Sequence, residues 1–183
     1  MLKFKSLVLD DTAVSRALRR ISFEIVEKNR GIENVCIVGI CRRGVPIAEI
    51  IAENIAKIEN QNIPVGKLDI TFYRDDIVVK NSKDPVINST DIGFDISGKH
   101  VILVDDVLYT GRTVRAAIDA LITVGRPASV QLAILCDRGH RELPIRADYV
   151  GKNLPTSRNE RVLVKIQPFD DKTCVELHEN IEE

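Results

Sequence analysis

The stretch Val101-Ile102-Leu103-Val104-Asp105-Asp106-Val107-Leu108-Tyr109-Thr110-Gly111-Arg112-Thr113 decides the reading of this chain. Four apolar residues in a row, three of them Val or Ile, predict a short strand buried on both faces. Two carboxylates follow at the point where such a strand would leave its sheet. Thr110, Gly111 and Thr113 then open a run with helical spacing, Val114 to Ile122. Backbone N–H groups at a helix N-terminus, with the positive end of its dipole, hold phosphate. Carboxylates hold ribose hydroxyls, Mg2+, or both. Two adjacent carboxylates at a buried strand end also repel one another, and a cation or a polyol relieves that repulsion. The pattern therefore suits a sugar phosphate with a divalent metal. It is neither GxxxxGK[ST] nor GxGxxG.

Working outward, Asp10 and Asp11 can cap a helix running to about Asn29, with Gly31 ending it. Val14, Leu18, Ile21 and Ile25 form its buried stripe, and Arg16, Arg19 and Arg20 lie off that stripe. Val35 to Ile40 is a second buried strand. It ends in Cys41-Arg42-Arg43-Gly44, and a helix follows from about Val45 to Ile58. Arginine forks bind phosphate oxygens in bidentate fashion, and ligands of open α/β sheets lie at such strand ends.

Val65 to Arg74 alternates in the manner of a strand, with Leu68, Ile70 and Phe72 on one side. The polar stretch from about 75 to 98 lacks periodicity and reads as a lid, or as an antiparallel hairpin begun by Ile77-Val78-Val79. Beyond Gly125-Arg126-Pro127, strands are expected over Ser129 to Cys136, Arg146 to Val150 and Arg161 to Ile166. Cys174 to His178 reads as an edge strand before a frayed end, within an acidic C-terminal tail of about 170–183. Strand–helix–strand repetition implies an α/β fold with a doubly wound, mostly parallel sheet in one domain over 1–183.

Composition sets the outer bounds. The net charge of −1 excludes a uniformly basic nucleic-acid binder but not a local basic face. Between Asp137 and Arg161 six Lys/Arg stand against four Asp/Glu, and from Phe169 onward six acids stand against Lys172 alone. No apolar run reaches the roughly 18 residues that span a bilayer, and no signal peptide opens the chain. Its four cysteines are thus expected to be reduced thiols of a cytoplasmic protein with no membrane partner. Cys36 and Cys136 read as core residues, and no CxxC pair points to zinc.

The loop Val101–Thr113 resembles the 5-phosphoribosyl-1-pyrophosphate (PRPP) motif of type I phosphoribosyltransferases. With Leu68–Asp76 and Asp137–Ser157 it resembles one family: PyrR, the pyrimidine operon attenuation regulators with uracil phosphoribosyltransferase activity. Arg138-Gly139-His140-Arg141-Glu142-Leu143-Pro144-Ile145-Arg146-Ala147-Asp148-Tyr149 is the most specific block, because general type I enzymes lack it.

The resemblance implies a type I fold with flanking helices, a lid and a small hood. It implies the reaction of uracil with PRPP to UMP and pyrophosphate, with Mg2+ as cofactor. Asp105, Asp106 and Arg43 would carry catalysis, and Arg42 with Arg43 would meet pyrophosphate. Asp105 and Asp106 would hold the ribose hydroxyls, directly or through Mg2+. Val107, Leu108, Tyr109, Thr110, Gly111, Arg112 and Thr113 would form the nucleotide loop, with Arg74, Arg138 and the backbone around Val162 as further contacts. Tyr109 stands where purine-using relatives often carry an acid, which fits a pyrimidine.

The resemblance also implies UMP- or UTP-dependent binding of the pyrimidine operon mRNA leader by a homodimer or homotetramer. The basic face would be drawn from Arg19, Arg20, His140, Arg141, Arg146 and Lys152. His140 reads equally as a hydrogen-bond partner of its own loop, and Phe23 departs from a His of the family. Two other readings stay open. One is a nucleotide-sensing RNA-binding regulator with little enzymatic activity; the other is a plain phosphoribosyltransferase without an RNA role.

Overall fold

The computed structural model describes residues 1–71 and 90–181. Strand β1 (Leu2–Leu9) leads into helix α1 (Asp11–Asn29), followed by β2 (Val35–Ile40), α2 (Gly44–Glu59) and β3 (Val65–Leu68). Next come β4 (His100–Leu108), α3 (Arg112–Val124), β5 (Ser129–Asp137), β6 (Tyr149–Asn153), β7 (Glu160–Lys165) and β8 (Cys174–Asn180). A five-stranded sheet runs in the order β3-β2-β4-β5-β6, with every pair parallel. A second, antiparallel sheet has the order β1-β8-β7.

The apolar runs divide between two faces because successive strand side chains point oppositely. Ile102 and Val104 of β4 join Ile37, Leu135 and the buried stripes of α1 and α2. Val101 and Leu103 join Val38, Leu132 and the Val114, Ala117 and Leu121 side of α3. A strand covered on both sides has no use for polar alternation, which is why β2 and β4 read as continuous apolar runs. Helix α1 starts where Asp10 Oδ1 accepts the Ala13 N–H at 2.8 Å. It ends one residue before the expected Gly31, on Arg30 in the left-handed region at φ 57°.

Several expectations need correction. Strand β4 continues through the acidic pair to Leu108, so Asp105 and Asp106 belong to the strand and do not follow it. Pairing of Asp105 with Ile134 and Val107 with Cys136 carries the ladder past the carboxylates. Strand β3 stops at Leu68, short of Arg74, and β6 begins at Tyr149, three residues after the expected start. The C-terminal end of the expected lid is packed, since Asp91 exchanges backbone hydrogen bonds with Lys67 and Ile96 is buried. The rest of that lid, with Arg74 and Ile77 to Val79, lies outside the described residues. Cys174–Asn180 is the central strand of its sheet, not an edge, and it runs two residues past His178 into the expected frayed end. Strand β1 had no sequence forecast.

Candidate active site at the sheet switch point

Strand order places the site. From β2 the chain crosses through α2 to β3 on one side; from β4 it crosses through α3 to β5 on the other. The crevice between the carboxyl ends of β2 and β4 is therefore the topological switch point, where open α/β sheets bind ligands. The loop Cys41–Gly44 and the loop Tyr109–Gly111 flank it. Their approach is close: a Cβ on Gly44 would lie 2.4 Å from the carbonyl oxygen of Val104 and 3.3 Å from the Cα of Asp105. Only glycine lets the arginine loop reach the acidic pair. The sequence placed Arg42 and Arg43 far from Asp105 and Asp106, and the fold brings the loops that carry them together.

Asp105 is buried and Asp106 half-buried. The Asp106 N–H donates to Asp105 Oδ1 at 2.9 Å, and the Val107 N–H donates to Asp106 Oδ1 at 2.7 Å. Burial raises the Asp106 carboxyl above its ordinary range, while the Val107 N–H, Asp105 and Arg43 pull it back. Among the described residues no group of three or more His, Cys, Asp or Glu could cage a metal. Two carboxylates at a strand end instead fit Mg2+, which takes one or two carboxylates and fills its sphere with water and substrate phosphate oxygens.

Beyond the acids the loop forms a cradle. Gly111 takes φ 94° as N-cap of α3, a conformation that an L side chain resists. Tyr109 to Val114, with Val107, Leu108 and Glu142, line a cavity of about 260 Å3. A helix start presents backbone N–H groups that suit an anion, and this cavity opens onto the first turn of α3. Arg112 pairs with Glu142 at 2.8 Å across this cavity. Arg42 is exposed at the rim, after a cis Cys41–Arg42 peptide. Arg43 forms a fork with Asp170, Nε to Oδ2 at 3.0 Å and Nη2 to Oδ1 at 2.9 Å. Asp170 had no place in the sequence reading.

The basic block is stitched to the cradle. Backbone N–H groups of Glu142 and Leu143 donate to Thr110 O, both at 3.0 Å, and Arg138 N donates to Leu108 O at 3.1 Å. Arg138 is buried, bonds the Glu160 carbonyl at 2.8 Å and stacks 4.1 Å from the Tyr109 ring. Arg141, expected to face RNA, spends its donors internally on Ile145 O, Tyr109 O and the Asp137 carboxylate. Its chemistry here is that of a brace between two loops. His140 Nε2 contacts Thr156 O at 2.5 Å. Arg20 donates to Val150 O and Gly151 O, which ties helix α1 to strand β6. Arg19 lines a groove with Asn54 and Lys57 of α2, and Lys152 is exposed on β6. Arg146 is exposed. Val162 lies in β7, paired with Leu177, with its side chain in the core and its backbone two residues on from the Glu160 carbonyl that Arg138 bonds.

A sequence model of the phosphoribosyl transferase domain matches residues 6–166. The bifunctional protein PyrR of Caldicellulosiruptor bescii is 61% identical over 175 residues, covering 96% of this chain and 95% of its own. That of Acetivibrio thermocellus is 58% identical over 173 residues, covering 94% of each. The chain belongs to the PyrR family. Solved structures agree on architecture. The hypoxanthine phosphoribosyltransferase of Trypanosoma cruzi superposes with a TM-score of 0.73 at 17% identity, over 95% of both chains. A hypoxanthine-guanine phosphoribosyltransferase of Bacillus anthracis gives 0.67 at 14% identity, over 98% of this chain and 100% of its own. At such identities the likeness speaks for fold alone, and the fold of this PyrR family member is that of the type I phosphoribosyltransferases.

Proposed function

We propose that this chain joins uracil to PRPP, giving UMP and pyrophosphate, and that the bound nucleotide licenses binding of a pyrimidine operon mRNA leader. The observation that carries the catalytic half is the convergence, at one switch point, of an acidic pair, a helix-N-terminal anion cradle and an arginine loop. Each part meets one part of PRPP. Thr110, Gly111, Arg112 and Thr113 take the 5-phosphate through N–H groups and hydroxyls. Asp105 and Asp106 hold the ribose hydroxyls and are the residues that would hold Mg2+. Bound there, Mg2+ supplies positive charge against the pyrophosphate. Arg43, with Arg42 at the rim, meets the same pyrophosphate.

In the reaction the bond from the anomeric carbon to pyrophosphate oxygen breaks, a bond to uracil N1 forms, and the N1 proton is lost. Charge on the sugar is oxocarbenium-like, as in glycoside cleavage. The residues act by fixing both reactants and stabilising the leaving group. The Tyr109 ring and Arg138 lie beside the site, where a base would stack. Arg74 remains a further proposed contact, outside the described residues.

The regulatory half rests on the direct backbone bonds between Thr110 of the cradle and the basic loop at Glu142 and Leu143. Arg19, Arg20, His140, Arg146 and Lys152 form the proposed RNA face, with Arg141 holding its loop in shape. Such a face binds phosphates with strong salt dependence and reads an unpaired loop by stacking and base edges. One domain over 1–183, in a cytoplasmic homodimer or homotetramer, completes the proposal.

Radiolabelled uracil incubated with PRPP and Mg2+ should give UMP. Asp106→Asn should lower turnover at least about 100-fold, the scale lost with an electrostatic group of an active site, with an unchanged melting curve. UMP binding without turnover in the unaltered protein would sink the enzyme. For RNA, a gel shift of a leader transcript should strengthen with UMP. Lys152→Ala should weaken it and reduce the salt slope by about one, as for one lost phosphate contact. Absence of both RNA binding and UMP dependence would end the regulatory half.

A further inference from the structure

Arg43 is held on two sides. Asp170 grips one edge of its guanidinium with two parallel bonds, 3.0 Å from Nε and 2.9 Å from Nη2. The Phe169 ring lies 5.4 Å from its centre. A guanidinium has five N–H donors, and this fork uses two. Of the others, the second on Nη2 and one on Nη1 lie side by side along the end of the guanidinium, outside the fork.

Asp170 is the more rigid member of the pair. Its Oδ2 also accepts the Ile166 N–H at 2.9 Å, and its own N–H donates to Ile166 O at 2.8 Å. Its side chain is 16% exposed, against 37% for Arg43. Arg43 precedes α2 at the mouth of the crevice, whereas Asp170 lies between β7 and β8 in the antiparallel sheet. The pair therefore ties the two sheets together at the crevice.

We propose that Asp170 is a positioning residue, which fixes Arg43 so that the free edge of its guanidinium faces the pyrophosphate group of PRPP. The inference rests on the reading of Arg43 as the pyrophosphate contact. Arginine is long, and its stem has many rotamers. A bidentate carboxylate removes that freedom before the ligand arrives, and preorganisation of this kind appears as affinity. The antiparallel sheet thus contributes, through the turn after β7, to a site whose acidic pair and cradle come from the parallel sheet.

The test is a double-mutant cycle in steady-state kinetics with uracil, PRPP and Mg2+, comparing D170N, R43K and the double variant, with melting curves for each. D170N should raise the KM for PRPP about tenfold, a typical scale for one mis-set ionic contact, while the KM for uracil stays within about twofold. In the R43K background D170N should add less than about twofold, because the residue acts through the arginine. D170E should recover part of the loss by restoring the charge. If D170N fails to fold, D170E carries the same cycle, since it displaces the carboxylate without removing it. Equal losses in both backgrounds, or a rise in the KM for uracil matching that for PRPP, would make Asp170 merely structural and overturn the proposal. Tighter PRPP binding by D170N would overturn it too, because Asp170 would then be competing with the ligand for Arg43. An R43K enzyme with unaltered KM for PRPP would remove the underlying reading of Arg43, and the proposal with it.

Discussion

Gly44 is the residue on which convergence of the site depends. Its missing side chain lets the backbone of the arginine loop lie against Val104, where a Cβ would meet carbonyl oxygen at 2.4 Å. Backbone cannot swing aside as the end of a long side chain can. Gly44→Ala should therefore cost about 1–3 kcal/mol, the usual range for forced overpacking, and displace Arg43 from the acidic pair. Calorimetry should show the lowered melting temperature, and titration with PRPP and Mg2+ should show affinity falling by more than the stability loss explains. A melting curve and PRPP affinity both unchanged would refute the close approach. At this scale the sequence was informative about chemical type. Asp105, Asp106 and Thr110 to Thr113 were legible because adjacent carboxylates and small residues at a strand–helix junction serve few purposes beyond ligand binding. Asp170 was not legible, since an acid in an acidic stretch looks like solvated surface until its partner, 127 residues away, is placed beside it.

Among the elements, the antiparallel sheet carries the most unusual electrostatics. Glu160 is held down to about 2 from the ordinary 4.5, first by the Lys5 ammonium and then by the Ser157 N–H. Glu176 is held down to about 2 by Lys172, His178 and Lys165. A carboxyl depressed in the folded state binds fewer protons there than when unfolded, so its contribution is complete above about pH 4.5 and is lost as pH falls toward about 2. Acid should therefore loosen this sheet across that window. Urea unfolding at stepped pH should show stability falling there, and Glu160→Gln or Glu176→Gln should flatten the fall; an unaltered slope in both variants would show that these acids do not drive it. Elements with strong periodicity were legible: α1, α2, α3, β2 and β5 fell within a residue or two of their expected bounds. Strand β4 outran its forecast because Asp105 and Val107 pair with Ile134 and Cys136 of β5, while the carboxylates of Asp105 and Asp106 take the N–H groups of Asp106 and Val107. Strand β6 was misplaced for the converse reason, since Arg146 to Asp148 look strand-like yet precede the first residues that pair with β5.

For the whole molecule, β8 is the piece that closes the chain on itself. It lies between β1 and β7, pairing Leu2 with Asn180 and Lys165 with Cys174. Removal of residues 167–183 should leave β1 and β7 without their shared partner and expose Val164 and Ile166, both buried in the core. Each such side chain is worth about 1.5–3 kcal/mol when buried, so the shortened chain should lose its cooperative melting transition and bind a hydrophobic dye. A sharp transition near that of the full chain would mean that the antiparallel sheet is an accessory. The same truncation also removes Asp170, which places loss of PRPP affinity and loss of cooperativity on one deletion but on separate point variants.

What the amino-acid sequence determined by itself is what near neighbours along the chain decide: the two-sided strands, the capped helices, the acidic pair before a phosphate-holding helix start, and with them the α/β class and the family. These follow from apolar spacing and local hydrogen bonding, whose partners lie within a turn or a short loop. Only the tertiary structure decided that β2 and β4 are neighbours with a crevice between them, that β1 pairs with β8 across nearly the whole length of the chain, and that Arg43 meets Asp170. Strands β1 and β8 mix polar and apolar residues, and a sheet edge accepts many partners through the same backbone groups. Which one it takes is settled by what the two faces can bury together, and that is a property of the assembled core.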